Sequence, residues 1–193
     1  LWHIEEGEDF FLEKVPLKRD VSHPHKRLQH LAGRYLLPTL FEDFPLSEIL
    51  IADTRKPFLP DEKYHFSISH CGNYAAAIVS ATQRVGVDIE HPTDKIFRIS
   101  HKFLTDEEKM FLDEQMSTGQ LLQLATLLWS SKESMFKWFG DGGVDFRQHM
   151  TIQNIEGNDE EGKLICQFQK FDPLSLTVHY RFMKELVMSW VVS

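Results

Sequence analysis

One stretch limits the possible folds more than any other. From Gln120 to Phe139, the residues Leu121, Leu124, Ala125, Leu128, Met135, Phe136 and Phe139 fall on a single stripe at helical spacing. Gly140 follows at the position of a C-terminal cap, so the pattern predicts one long amphipathic helix ending there. A helix of this kind gains its stability by laying its stripe on another layer of structure. Lys132 stands in a gap of that stripe, at the i+4 step from Leu128. Burying an unpaired ammonium is costly, so Lys132 has to snorkel to water or find an anionic partner; a bound phosphate or a metal-site carboxylate would serve.

The layer to receive the helix is foreshadowed on both sides of it. Upstream, Tyr64, Phe66 and Ile68 alternate with polar residues as in a half-buried strand, and Ser69-His70-Cys71-Gly72-Asn73 reads as a turn. Ala75 to Val79 then suggests a buried strand, and Val85 to Glu90 a third, so residues 64–90 are expected to form an antiparallel meander. Downstream, the stretches Thr151–Ile155, Leu164–Phe168, Leu176–Phe182 and Leu186–Val192 also read as strands. An earlier amphipathic helix is predicted from Lys26 to Leu37, with Pro38 just beyond it. Gly33 inside that helix implies a close approach by packing or by a ligand. A short helix is expected to open at the capping box Thr105-Asp106-Glu107-Glu108 and to end near Met116. The order of helix and strand meander thus occurs twice, which predicts an α+β fold of two similar halves, residues 1–90 and 91–193, each a helix packed on a mainly antiparallel sheet.

Within the third strand, Asp88 and Glu90 are two residues apart and share a face, with Gly86 on the same side offering no side chain to obstruct approach. Such a pair is either an ordinary solvated strand face or two ligands of a divalent cation in need of a third. In the long helix, Trp129, Glu133 and Lys137 are spaced by four along one flank of the stripe. Glu133 and Lys137 are either a surface ion pair or a carboxylate and an ammonium presented together to a site.

These motifs together resemble a known family. Gly86-Val87-Asp88-Ile89-Glu90, followed by Trp129-Ser130-Ser131-Lys132-Glu133-Ser134-Met135-Phe136-Lys137, resembles the two signature motifs of the 4′-phosphopantetheinyl transferases. Arg55-Lys56-Pro57, Phe66-Ser67-Ile68-Ser69-His70 and Leu31-Ala32-Gly33-Arg34 are similar to stretches of the larger, surfactin-synthetase-activating type. The resemblance implies a monomer built as a pseudo-dimer, with coenzyme A and Mg²⁺ in the cleft between its halves. It implies transfer of the phosphopantetheine arm from coenzyme A to a serine of an apo acyl or peptidyl carrier protein, with release of 3′,5′-ADP. By motif position Asp88, Glu90 and Glu133 would hold the metal, a set of hard oxygen donors of the kind Mg²⁺ takes. Glu133 would be the general base, directly or through metal-bound water, and Lys137 would steady or protonate the leaving diphosphate; Lys56, Ser69, His70 and Lys132 would contact coenzyme A together with Lys137. Lys18 and Arg19 are candidates for its 3′-phosphate, and Phe103, Met110 and Phe111 for the carrier-docking surface. Asp141-Gly142-Gly143-Val144 departs from the Gly-Lys-Gly-Leu-like turn common in the larger members, so a basic contact there is not expected. Two other readings stay open: metal-dependent nucleotidyl or phosphodiester transfer, which also uses carboxylates one residue apart, and a binding module for coenzyme A or a carrier without turnover.

The bulk properties narrow the rest. A net charge of −8 over 193 residues gives a field that repels nucleic acid and anionic membranes, so a polyanionic ligand needs a local basic pocket. Cys71 and Cys166 are the only cysteines and have no metal or disulfide spacing, which fits a reducing, cytoplasmic location. No apolar run approaches the roughly 20 residues that a membrane-spanning helix needs. The acidic start lacks a signal-peptide pattern, and Leu1 in place of Met raises the expectation that the natural start lies upstream.

Overall fold

The computed structural model of the protein describes residues 1–17, 21–112 and 116–193. Lys18 and Arg19, proposed above for a 3′-phosphate, lie outside the described residues. In chain order the elements are β1 (Trp2–His3), α1 (Glu8–Leu12), α2 (Pro24–Leu40), β2 (Leu50–Ile51), β3 (Pro57–Phe58), β4 (His65–Cys71), β5 (Tyr74–Ser80) and β6 (Val85–Glu90). They continue with α3 (Lys95–Ile99), α4 (Asp106–Lys109), α5 (Thr118–Phe139), β7 (Met150–Gly157), β8 (Glu161–Phe168), β9 (Leu174–Phe182) and β10 (Val187–Val192). This is the expected α+β mixture of helices and antiparallel sheets. One sheet runs β1-β5-β4, a second runs β6-β10-β9-β8-β7, and β2 pairs with β3.

The sequence pattern carries through to most of these elements. α5 is capped by Ser117, which closes a capping box with Gln120, and it ends at Gly140 in the left-handed conformation (φ 85°) that glycine adopts without penalty. Its stripe covers the five-stranded sheet in a core with Leu128, Met135, Met150, Leu164 and Val178. α2 lies on the three-stranded sheet, and an added Cβ on Gly33 would sit 2.5 Å from Ile68 Cγ2, so the close approach there is packing by β4. α2 outruns its predicted end, because Pro38 falls within its last turns, where Thr39 Oγ1 donates to the Tyr35 carbonyl. α4 does open at Thr105, whose side chain closes the capping box with Glu108, but it ends at Lys109 rather than near Met116.

The expected meander over 64–90 is not how the third strand pairs. β6 is hydrogen-bonded to β10, with Asp88 opposite Ser189 and Glu90 opposite Val187. Its other edge meets β4 through side chains: Val87 N donates to Ser67 Oγ at 3.1 Å, Ile89 N to Ser69 Oγ at 3.3 Å and His91 N to Cys71 Sγ at 3.4 Å. Successive backbone donors on that edge, from every second residue, are thus met by small polar side chains of β4, which satisfies these amides without a backbone ladder. The polar face of β4 is consequently turned inward, with Ser67 and Ser69 buried. β6 thus contacts both β4 of the three-stranded sheet and α5.

Candidate active site

Gly86 decides how closely α5 can approach β6. A Cβ there would overlap the Ser134 carbonyl oxygen and lie 2.7 Å from Trp138 N. The room beside Asp88 and Glu90 that the missing side chain leaves is therefore taken by the backbone of α5, and this brings Glu133 and Lys137 against the two strand carboxylates. Lys137 Nζ donates to Asp88 Oδ1 at 2.6 Å and to Ser69 Oγ at 2.9 Å. Ser69 Oγ in turn donates to Asp88 Oδ1 at 3.0 Å. Asp88 is buried, and its second oxygen, Oδ2, has no hydrogen-bond partner.

Glu90 is held by groups on two elements. Trp129 Nε1 donates to Oε1 at 3.2 Å and the Cys71 thiol to Oε2 at 3.7 Å. Trp129 thereby orients one of the strand carboxylates. Burial raises the pKa of Glu90, and the negative charge of Asp88 adds to the rise. Glu133 is pushed up to about 7 by burial first and by Asp88 and Glu90 next, against the opposing effect of Lys137. Burial also raises Cys71, to about 11, so its thiol keeps the proton that it donates to Glu90. His70 is exposed at the end of this cluster; desolvation of the ring lowers its pKa, and the charge of Lys137 adds to the effect.

Glu133, Phe136 and Lys137 open into a cleft of about 220 Å³ whose other wall is Thr54, Arg55, Lys56, Pro57, Phe66, Ser67 and Ile68. Lys56 bridges this wall to α5: Nζ donates to the Trp138 carbonyl at 3.5 Å, and Thr54 Oγ1 donates to the Gly140 carbonyl at 3.1 Å. The ammonium of Lys56 thus lies at the electronegative end of α5. Desolvation lowers its pKa, and neighbouring Arg84 lowers it further. The predicted residues Lys56, Ser69, His70, Asp88, Glu90, Glu133 and Lys137 are therefore gathered into one region.

Lys132 is not part of it. Its side chain is fully buried, and Nζ donates to the Phe103 carbonyl (2.6 Å), Glu108 Oε2 (2.6 Å) and the Phe146 carbonyl (3.0 Å). An ammonium has three donors, and all are used within the protein, so none faces a coenzyme. The partner required of a lysine in an apolar stripe is Glu108, whose Oε2 also accepts from Thr105 N (2.9 Å) and whose Oε1 accepts from Ile152 N (2.8 Å). Sequence reasoning found Glu108 as a capping residue and missed this second role. Phe103 is also removed from the proposed docking surface: it is fully buried, whereas Met110 is 83% exposed.

Among the described residues, no three His, Cys, Asp or Glu side chains stand arranged to hold a metal ion. In donor type the carboxylates nonetheless suit a hard divalent cation, and an unpartnered buried carboxylate oxygen such as Asp88 Oδ2 is the kind of atom a cation would satisfy. Asp88, Glu90 and Glu133 are the residues that would hold it.

A family model described as the 4′-phosphopantetheinyl transferase superfamily matches residues 84–191, more than half of the chain. The chain belongs to that superfamily. The matched stretch contains Asp88, Glu90, Glu133 and Lys137, while Lys56, Ser69 and His70 lie upstream of it. Enterobactin synthase component D of Salmonella austin is 34% identical over 116 residues, covering 60% of this chain and 49% of that protein. The 4′-phosphopantetheinyl transferase gsp of Aneurinibacillus migulanus is 31% identical over 114 residues, covering 58% and 46% respectively. A putative 4′-phosphopantetheinyl transferase of Haemophilus influenzae is 26% identical over 153 residues, covering 76% of this chain and 61% of that one. The chain spans about half the length of the first two relatives. Among the described residues of this superfamily member, no helix is long and apolar enough to cross a membrane.

Proposed function

We propose that this chain transfers the 4′-phosphopantetheine group of coenzyme A to a serine hydroxyl of an apo acyl or peptidyl carrier protein and releases 3′,5′-ADP. The observation that carries the reading is that Glu133 and Lys137, one turn apart on α5, open into the same cleft as Lys56 while Lys137 grips Asp88. In the reaction the serine oxygen forms a bond to the pantetheine-side phosphorus, the diphosphate bridge breaks, and its electron pair leaves with 3′,5′-ADP. Glu133 takes the serine proton. In the metal-free protein burial pushes this carboxyl up to about 7, above the ordinary carboxylate range. Lys137 steadies the departing phosphate oxygen and can protonate it, while Lys56 and His70 hold coenzyme A phosphates from the opposite wall and the rim. When bound between Asp88, Glu90 and Glu133, Mg²⁺ would offset the charge of the diphosphate.

We further place the protein with the larger, surfactin-synthetase-activating type, as a cytoplasmic monomer of two halves, residues 1–90 and 91–193. Support comes from one long helix on each large sheet and from the upstream motifs Arg55-Lys56-Pro57 and Phe66–His70, which line or border the cleft. Carrier docking is assigned to the surface at exposed Met110 and half-buried Phe111. The test is to incubate the protein with Mg²⁺, coenzyme A and a panel of apo carrier proteins and to weigh each carrier by mass spectrometry. A carrier heavier by one phosphopantetheine is expected; no gain with any of several carriers would sink the proposal.

A further inference from the structure

Lys137 raises a question that its role toward a phosphate does not answer. Its ammonium is 2.6 Å from Asp88 Oδ1, on a carboxylate whose side chain is only 4% exposed. Ser69 fixes it there. The Ser69 hydroxyl donates to Asp88 Oδ1 and accepts from both Lys137 Nζ and Ile89 N, so its one donor and two acceptor positions are all committed. Among the described residues Lys137 is the ion-pair partner of Asp88, while Glu90 is bonded by Trp129 and Cys71 instead. A divalent cation placed on Asp88 would stand within a few ångströms of the Lys137 charge and be repelled by it. The Lys137 side chain is itself 25% exposed and borders the cleft, so it has somewhere to go.

We propose that Lys137 is an exchangeable counter-ion: it neutralises Asp88 in the metal-free protein and is displaced into the cleft when a divalent cation takes Asp88. The inference rests on the reading of Asp88 as a cation ligand and deepens it. Its consequence is an order of assembly. Lys137 cannot turn to an anionic substrate while Asp88 depends on it, because it would leave a buried carboxylate without a cation. Metal binding removes that cost and delivers an ammonium to the place where a diphosphate would lie. By linkage, an anion that draws Lys137 into the cleft must tighten metal binding by the same factor.

The experiment titrates Mn²⁺, a paramagnetic stand-in for Mg²⁺, into the full chain without coenzyme A and reads free Mn²⁺ by electron paramagnetic resonance. Lys137→Met removes the competing charge and should bind Mn²⁺ about tenfold more tightly than the unaltered protein, a coupling of ordinary size. Lys137→Arg, which keeps the charge, should show no such gain. Equal or weaker binding by Lys137→Met overturns the proposal, as does failure of both proteins to bind Mn²⁺. If the Met variant does not fold, Lys137→Gln keeps a hydrogen-bond donor for Asp88 without the charge; the same rise is expected, and its absence overturns the proposal equally. The carrier mass assay separates the two readings. Transfer by the unaltered protein with no gain in Lys137→Met refutes counter-ion exchange alone, whereas a gain with no transfer to any carrier refutes the transferase reading alone.

Discussion

Replacing Lys132 tests whether the lysine of the signature helix serves the coenzyme or the fold. Lys132→Met removes the ammonium from a site where Glu108 is 1% exposed and two backbone carbonyls, those of Phe103 and Phe146, depend on the same three donors. The variant leaves a buried carboxylate bonded only to the amides of Thr105 and Ile152. Breaking one side of a buried pair typically costs about 3–5 kcal/mol, most of it from the charge left behind. For a chain of this size that corresponds to a fall in Tm of about 6–20 °C. The assay is urea unfolding followed by tryptophan fluorescence, with thermal unfolding beside it. Adding Glu108→Gln to Lys132→Met removes the stranded charge while leaving an oxygen to accept from Ile152 N, so the double variant should be more stable than Lys132→Met alone by about 1 kcal/mol or more. A loss below about 1 kcal/mol in Lys132→Met would refute the reasoning. So would unchanged stability with a weakened affinity for coenzyme A, which would return Lys132 to the substrate.

Three further outcomes are expected. In Gly86→Ala the new methyl group collides with the backbone of α5 at Ser134 and Trp138, which cannot move aside as a side chain would; a loss of about 1–3 kcal/mol in urea unfolding is expected, and a neutral change would contradict the close packing. Glu133 holds its proton up to about 7 in the folded protein against 4.5 in the unfolded chain, so it lowers stability as pH rises through that window, by at most about 3 kcal/mol in full. Glu133→Gln should therefore gain stability relative to the unaltered metal-free protein between pH 4 and pH 8 while losing transfer; parallel pH profiles would count against the burial of this carboxylate. Cys71 and Cys166, whose thiols are raised to about 11 and about 12, should react with a disulfide reagent at pH 8 only after unfolding, and rapid labelling of Cys71 in the folded protein would show its thiol to be free of Glu90.

How far the sequence alone reaches is visible in α5 and in the start of α4. The apolar stripe and glycine cap of α5 and the capping box at Thr105 are local patterns, because helical period and cap chemistry involve residues within a few positions of one another, and all three stand in the structure. The same holds for β7 to β10, whose alternation marks them within a residue or three of their bounds. The candidate site was legible because Asp88 with Glu90 and Glu133 with Lys137 each carry their own short-range spacing.

The pairing between these local units was decided by tertiary contact. β6 follows β5 in the chain yet pairs with β10, because Ser67, Ser69 and Cys71 meet its other edge with side chains, and nothing in an alternating pattern distinguishes a serine facing water from one facing a buried amide. Lys132 and Lys137 look alike on the helix, each a lysine near a carboxylate. Their different fates follow from Glu108, which reaches the first from α4, and from Asp88, which meets the second from a strand brought close by the absence of a side chain at Gly86. Sequence thus set which residues could do ionic chemistry, through period and residue type. The fold set which of those charges were consumed in holding the chain together and which were left beside a cleft, because ion pairing depends on distances that only packing determines.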